Sequence, residues 1–370
     1  MLTAAIFPGR YLQGSGAIHT LGDELGKLAK NAILLVDPFV DDNLGSVILA
    51  SCEGKVHTYK IRFAGECCDA EIERVIKEVE QSRFQADIVV GIGGGKTIDT
   101  TRAFAAQLNL PTAIVSTLAA TDAPCSSVSV VYTPEGEFER VLISKNPLLV
   151  LVDSQIVANA PVRYLVSGMG DALATWFEAE ECGINYAPTI AGTPPTKTAL
   201  VLARLCYDTL LEFGVAALEA CEQKVVTPAL DRIIEANTLL SGLGFESGGL
   251  AGAHSIHDAF TILEPAHAML HGEKVAFGTL CLLMLTGRST EQIDEVYSFC
   301  ESVGLPTTLA DINLPNVTDE QLQAVAKSAC TEGYDIYHLS RPFTWEDVYA
   351  AIKAADMMGK RRKEQCCCIE

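Results

Sequence analysis

The sequence predicts an α/β N-terminal domain with a mostly parallel sheet, over residues 1–160, followed by an all-helical domain over residues 161–370. Two observations carry this. Short β-branched runs alternate with helically spaced apolar segments in the first part, and strand signals stop near residue 162, where long amphipathic patterns take over. Length agrees: 370 residues exceed what one core commonly serves, and a 49% hydrophobic share can fill two.

The strand runs are NAILLVD (31–37), KVHTYKI (55–61), ADIVVGIG (86–93), TAIVST (112–117), SVSVVYT (127–133) and PLLVLVD (147–153). Between them AEIERVIKEVEQSRF and IDTTRAFAAQL space their apolar residues as helices do, so each strand feeds a helix and returns parallel to its neighbour. SVSVVYTPEGEFERVLI reads instead as a hairpin turning at Pro134–Gly136. In the second part TKTALVLARLCYDTLLEFG, PALDRIIEANTLLSGLG, EKVAFGTLCLLMLTG, TDEQLQAVAKSACTEG and TWEDVYAAIKAADMMG read as helices. No low-complexity linker separates the parts, and their cleft is the expected place for an active site.

A net charge of −20 argues against a nucleic-acid partner, which needs clustered Lys and Arg. The longest apolar runs are too short to cross a bilayer and the N-terminus carries no secretory pattern, so a cytoplasmic location is expected. The thirteen cysteines include no CxxC pair and are expected to stay reduced. The tail KRRKEQCCCIE has a formal Cys-a-a-X ending, but glutamate is a poor last residue for prenylation, and a solvated tail is the expectation.

GIGGGKT (91–97) sits between a strand run and a helical pattern. Converging backbone N–H groups and a helix N-terminus make that a phosphate cradle, and a nucleotide is implied. It fits neither Walker A, which would need glycine where Val90 stands, nor the G-x-G-x-x-G spacing, so a dinucleotide, a nucleoside triphosphate and a structural turn all stay open. Asp37, ending the run AILLV, suits the ribose hydroxyls of NAD and would repel the 2′-phosphate of NADP; a turn aspartate before Pro38 is the alternative. This acid precedes the glycine loop, the reverse of the usual Rossmann order.

Four of seven histidines, His254, His257, His267 and His271, fall within HSIHDAFTILEPAHAMLH. Two of them with one distant carboxylate would make a catalytic metal site, while buried, hydrogen-bonded core positions would account for the others. Asp171 in SGMGDALATWFEA is the candidate acid, with a helix cap as its plainer reading. Phe245 in GFESGGLAG is a candidate apolar wall or a core residue.

Taken together, GIGGGKTIDT, STLAATDAPCSSVSVVYT, GMGDALATWFEA, VVTPALDRIIEANTLLSGLGFESGGLAGAHSIH and HGEKVAFGTL resemble the glycerol dehydrogenases, the zinc-dependent branch of the iron-containing alcohol dehydrogenase superfamily. The resemblance implies a Rossmann-like, dinucleotide-binding first domain and a metal- and substrate-binding second one. It implies zinc on Asp171, His254 and His271, and NAD pyrophosphate against Gly93, Gly94, Gly95 and Lys96, with Thr97 starting the helix and Asp37 on the ribose. Thr117, Leu118, Ser126, Val128 and Tyr132 would line the cofactor, and Asp122 would face the substrate beside His254 and Phe245. The implied reaction is reversible oxidation of glycerol and related vicinal diols to the hydroxyketone, by a homo-oligomer for which an octamer is one option. Iron-using relatives place a histidine four residues after the metal aspartate; here that position is Thr175, leaving an N,N,O set suited to zinc. Other readings are a lyase resembling dehydroquinate synthase, a dehydrogenase of glycerol phosphate, a P-loop phosphotransferase and a non-catalytic NAD-binding protein.

Overall fold

The computed structural model describes residues 2–133 and 138–367. The turn expected at Pro134–Gly136 lies outside them, as do residues 368–370. Six strands, β1 (Tyr11–Gly14), β2 (Asn31–Val36), β3 (His57–Arg62), β4 (Ile88–Gly93), β5 (Thr112–Ser116) and, later in the chain, β8 (Leu149–Asp153), form one sheet in the order β1-β8-β5-β4-β2-β3. Every neighbouring pair is parallel. The hairpin strands β6 (Val128–Tyr132) and β7 (Phe138–Ile143) pair antiparallel in a separate ribbon, with a register irregularity at Val131/Tyr132.

Period-two alternation sends each strand's side chains to opposite faces, and both faces are covered. Ala32, Leu34 and Val36 of β2 join a core with Leu21, Leu25 and Ile48, while Ile33 and Leu35 join another with Ile72, Val75 and Phe104. That is why β2 reads as an unbroken apolar run. The chain leaves β2 outward to β3 and then crosses back to β4 on the other side, so the strand order reverses between β2 and β4. In parallel α/β sheets ligands bind outside the carboxyl ends of the strands at such a point, and Asp37 and the glycine loop follow those two strands directly.

The chain divides into two compact units. One holds Phe7–Leu165 together with Glu219–Gly242; the other holds the N-terminal residues through Ile6, Val166–Leu218 and the chain from Leu243 onward. A single cut at 160 therefore misses a segment that joins the sheet. Its anchors include polar bonds: Tyr11 Oη lies 2.7 Å from Thr238 Oγ1, Gln13 Nε2 donates to Asp231 O at 2.8 Å, and Asn237 Nδ2 donates to Ala119 O at 2.9 Å. Strand β1, absent from the sequence expectation, supplies two of these anchors.

The second unit has no strand among its described residues. Its helices include most of Val162–Asn185 and Lys197–Glu222, then Ser241–Gly248, Gly252–Phe260, His271–Thr286, Thr290–Val303, Asp319–Ala329 and Trp345–Cys367. Among the described residues no helix is long and apolar enough to cross a membrane.

Candidate metal and cofactor sites

Asp171 is not a helix cap. It lies inside the 24-residue helix Val162–Asn185 and is fully buried. The helix His271–Thr286 begins against it: a Cβ on Gly272 would stand 1.8 Å from Ser167 O and 2.9 Å from Asp171 N, and one on Gly170 would stand 2.4 Å from Gly272 O. Only paired glycines permit this approach, and it delivers His271, the first residue of its helix, to the carboxylate. His254 comes from Gly252–Phe260, packed so closely on His271–Thr286 that a Cβ on Gly278 would meet Ala253 O at 2.4 Å.

The result is a three-donor cluster. Asp171 Oδ1 lies 3.4 Å from His254 Nε2 and 3.2 Å from His271 Nε2, and one ligand atom from each residue falls within 4.8 Å of the other two. Tetrahedral zinc with bonds of ~2.0–2.1 Å needs donors roughly 3.3–3.4 Å apart, so the spacing and the N,N,O chemistry fit a divalent ion with an open position. Burial alone would raise the Asp171 carboxyl, but the imidazoles of His271 and His254 outweigh it and hold the group well below the usual carboxylate range. Burial likewise opposes charge on His254, yet Glu178 and Asp171 raise it well above an ordinary imidazole. A bound cation would take the place of these protons.

The other two histidines of the crowd are spent elsewhere. His257 is buried, its ring edge-on to His271 at 4.4 Å, and burial followed by the neighbouring His271 charge pushes it down to about 3. His267 donates from Nε2 to Thr261 O at 2.6 Å. Thr175, one turn after Asp171, is buried under the helix Ser241–Gly248, where a Cβ on Gly244 would meet its methyl group at 2.4 Å. That contact leaves no room for the bulk of a third imidazole ligand. Phe245, on the same helix, is buried.

Sequence reasoning missed Glu178. It follows Asp171 by seven residues, two turns along the same helix, and is fully buried. Its Oε2 lies 2.6 Å from His254 Nδ1, while its Oε1 accepts from Ala251 N at 2.9 Å and His254 N at 3.0 Å. The i, i+7 spacing was the available signal.

In the sheet-based unit, Gly93 ends β4 where three segments meet: a Cβ there would stand 2.8 Å from Thr97 Oγ1 and 2.9 Å from Asp37 Cβ. Asp37 and the glycine loop thus converge although 56 residues separate Asp37 from Gly93. Gly94 begins the helix Gly95–Gln107 with no side-chain cap, and nothing lies nearer to a Cβ on Gly95 than Thr121 Oγ1 at 3.9 Å. The cradle is open toward an anion. Thr117 N donates to Gly93 O at 3.1 Å, and Leu118 flanks Gly94. Lys96 is paired with Glu66 at 2.6 Å. Asp37 caps the helix Pro38–Cys52, accepting at Oδ1 from Phe39 N and Val40 N, which is the alternative reading of it as a turn aspartate before Pro38.

The 122–132 segment is fixed by a residue that sequence reasoning passed over. Arg102, fully buried on the helix after the glycine loop, pairs with Asp99 at 3.1 Å, donates to Val128 O at 2.9 Å and also donates to Ala123 O. Ser126 and Val128 are thereby held close to the loop, and Tyr132 N is fixed by Cys67 O at 2.8 Å. Asp122 is buried and accepts from Ser241 Oγ at 2.8 Å.

The iron-containing alcohol dehydrogenase family matches residues 8–154. The chain is 56% identical over 364 residues to a glycerol dehydrogenase of Thermotoga maritima, covering 98% of this chain and 99% of that protein. The solved structure of a probable glycerol dehydrogenase from Sinorhizobium meliloti 1021 shares 43% identity and a TM-score of 0.92, over 97% of this chain and 99% of that one. That of glycerol dehydrogenase from Schizosaccharomyces pombe shares 36% identity and a TM-score of 0.94, over 99% and 93% respectively. With identity this high along nearly its whole length, the chain belongs to the iron-containing alcohol dehydrogenase family, in the group of its glycerol dehydrogenases, and is an oxidoreductase.

Proposed function

We propose that the protein catalyses reversible, NAD-dependent and zinc-dependent oxidation of glycerol and related vicinal diols to the hydroxyketone, dihydroxyacetone in the case of glycerol. The observation that carries this reading is the Asp171, His254 and His271 donor triangle, with the names of the similar proteins supplying the substrate class. Zinc, when bound, supplies Lewis acidity that makes a substrate hydroxyl easier to deprotonate, and NAD supplies the acceptor for the hydride leaving carbon 2.

The chain's own residues do the rest. Asp171 contributes the one negative charge of the donor set, and both imidazoles offer Nε2. The uncapped first turn at Gly95, Lys96 and Thr97, with Gly93 and Gly94 before it, binds the pyrophosphate through backbone N–H groups. Thr117, Leu118, Ser126, Val128 and Tyr132 line the cofactor. Asp122, one oxygen of which is fixed by Ser241, orients the diol, and Phe245 supplies an apolar wall. A phosphorylated substrate is disfavoured, because Lys274, the cation next to the ligand run, is buried, its amine is pushed down by that burial, and it faces Asp258 and Glu273.

Glycerol and NAD added to the purified protein should raise absorbance at the NADH band; a chelator should stop the rise and added zinc restore it. Chelator-insensitive turnover would remove the metal from the reaction. Both cap bonds of Asp37 use Oδ1, which leaves Oδ2 for a ribose hydroxyl. Asp37→Gly should therefore weaken NAD binding about 10- to 100-fold, the loss of a charged hydrogen bond, and improve the relative use of NADP. Glycine is the right replacement because as an N-cap it costs only a few tenths of a kcal/mol relative to aspartate. Unchanged cofactor preference in steady-state kinetics would dismiss the ribose contact.

A further inference from the structure

We propose that Glu178 is a positioning residue of the metal centre, fixing the tautomer of His254 so that Nε2 faces the ion bare; this rests on the zinc reading above. A carboxylate can only accept hydrogen bonds, so the 2.6 Å contact requires the proton of His254 on Nδ1. The lone pair is then on Nε2, the atom 3.4 Å from Asp171 Oδ1. Metal-ligating histidines depend on such outer partners for ring orientation and ligand basicity.

The second oxygen makes the inference testable. Oε1 accepts two backbone N–H groups, from Ala251 and His254, at the start of the helix Gly252–Phe260, and so ties the ligand-bearing helix to the helix that carries Asp171. Glu178→Gln would keep its amide oxygen on that side, because an NH2 group there would oppose two donors. Its NH2 group would then face His254 Nδ1 and donate to it. The ring proton would be driven to Nε2, where it blocks the ligand atom, although shape and helix docking are conserved.

The test titrates zinc into metal-free, full-length protein against a chromogenic chelator. Glu178→Gln should weaken zinc binding about 10- to 100-fold, with NAD affinity unchanged. Unchanged zinc affinity overturns the proposal. Should Glu178→Gln fail to fold, nitrogen NMR of histidine-labelled, zinc-loaded wild type decides: ligation of His254 through Nε2 with a proton on Nδ1 supports the proposal, and ligation through Nδ1 overturns it. Equal zinc affinity in wild type and His271→Ala overturns the metal centre itself, and this proposal with it.

Discussion

His271→Ala is expected to strip zinc from the protein and to lower turnover about a thousandfold or more, while NAD binding stays near that of the parent chain. The ring is about one-third exposed, so its removal opens a solvent-filled notch and leaves the core packed. Two donors remain, Asp171 Oδ1 and His254 Nε2, 3.4 Å apart, too few to hold an ion against water. Lewis acidity at a developing alkoxide is worth several kcal/mol, which sets the scale of the rate loss. NAD binding should be unaffected, because Asp37 and Gly93–Thr97, the proposed NAD contacts, belong to the other compact unit. Asp171→Asn should lose as much, since the amide also removes the charge that both imidazoles face. Metal content by atomic absorption, set beside turnover, checks both variants; full activity in metal-free His271→Ala would refute the ligand assignment.

The largest stability effect is expected from Arg102→Ala, about 3–5 kcal/mol, the cost of breaking a buried ion pair. The guanidinium is fully buried, and its loss would leave Asp99 without its cation and the carbonyls of Ala123 and Val128 without these donors. Thermal unfolding should shift down by roughly 6–12 °C. The same change releases the segment carrying Ser126 and Val128, so KM for NAD should rise more than KM for the diol. Arg102→Lys would not rescue, because one ammonium cannot replace two guanidinium nitrogens aimed at different partners. A loss below about 1 kcal/mol in denaturant titration would show that water replaces the side chain.

How far the sequence discloses this fold depends on the type of contact. The parallel sheet was legible because β2, β4, β5 and β8 are buried on both faces and read as plain apolar runs. Strand β1 was not, since YLQG is four residues ending in glycine and pairs with β8 across more than a hundred residues. PALDRIIEANTLLSGLG reads as one helix, yet Ala236–Leu240 winds as a π-helix, and Asn237 there reaches two distant carbonyls, Ala119 O and Leu165 O. Nothing local announces such partners. The crowding of histidines pointed to a metal site, but choosing His254 and His271 over His257 and His267 took the family resemblance. In the structure the His267 ring is taken up by Thr261 O, and His257 is buried with its ring edge-on to that of His271. Glu178 and Arg102 escaped notice because a lone charge in a helical pattern ordinarily faces water.

The glycine pinch at Gly170 and Gly272 gives the proposed metal centre a particular character. His271 is stationed by main chain pressed on main chain, with no side chain to flex between the two helices. The triangle of donors is therefore a socket built by folding, unlike zinc modules that collapse around their ion. Loading such a socket demands dehydration of the cation and displacement of protons, with little ordering of the chain. On the proposed zinc reading, the protein should empty and refill as a folded body.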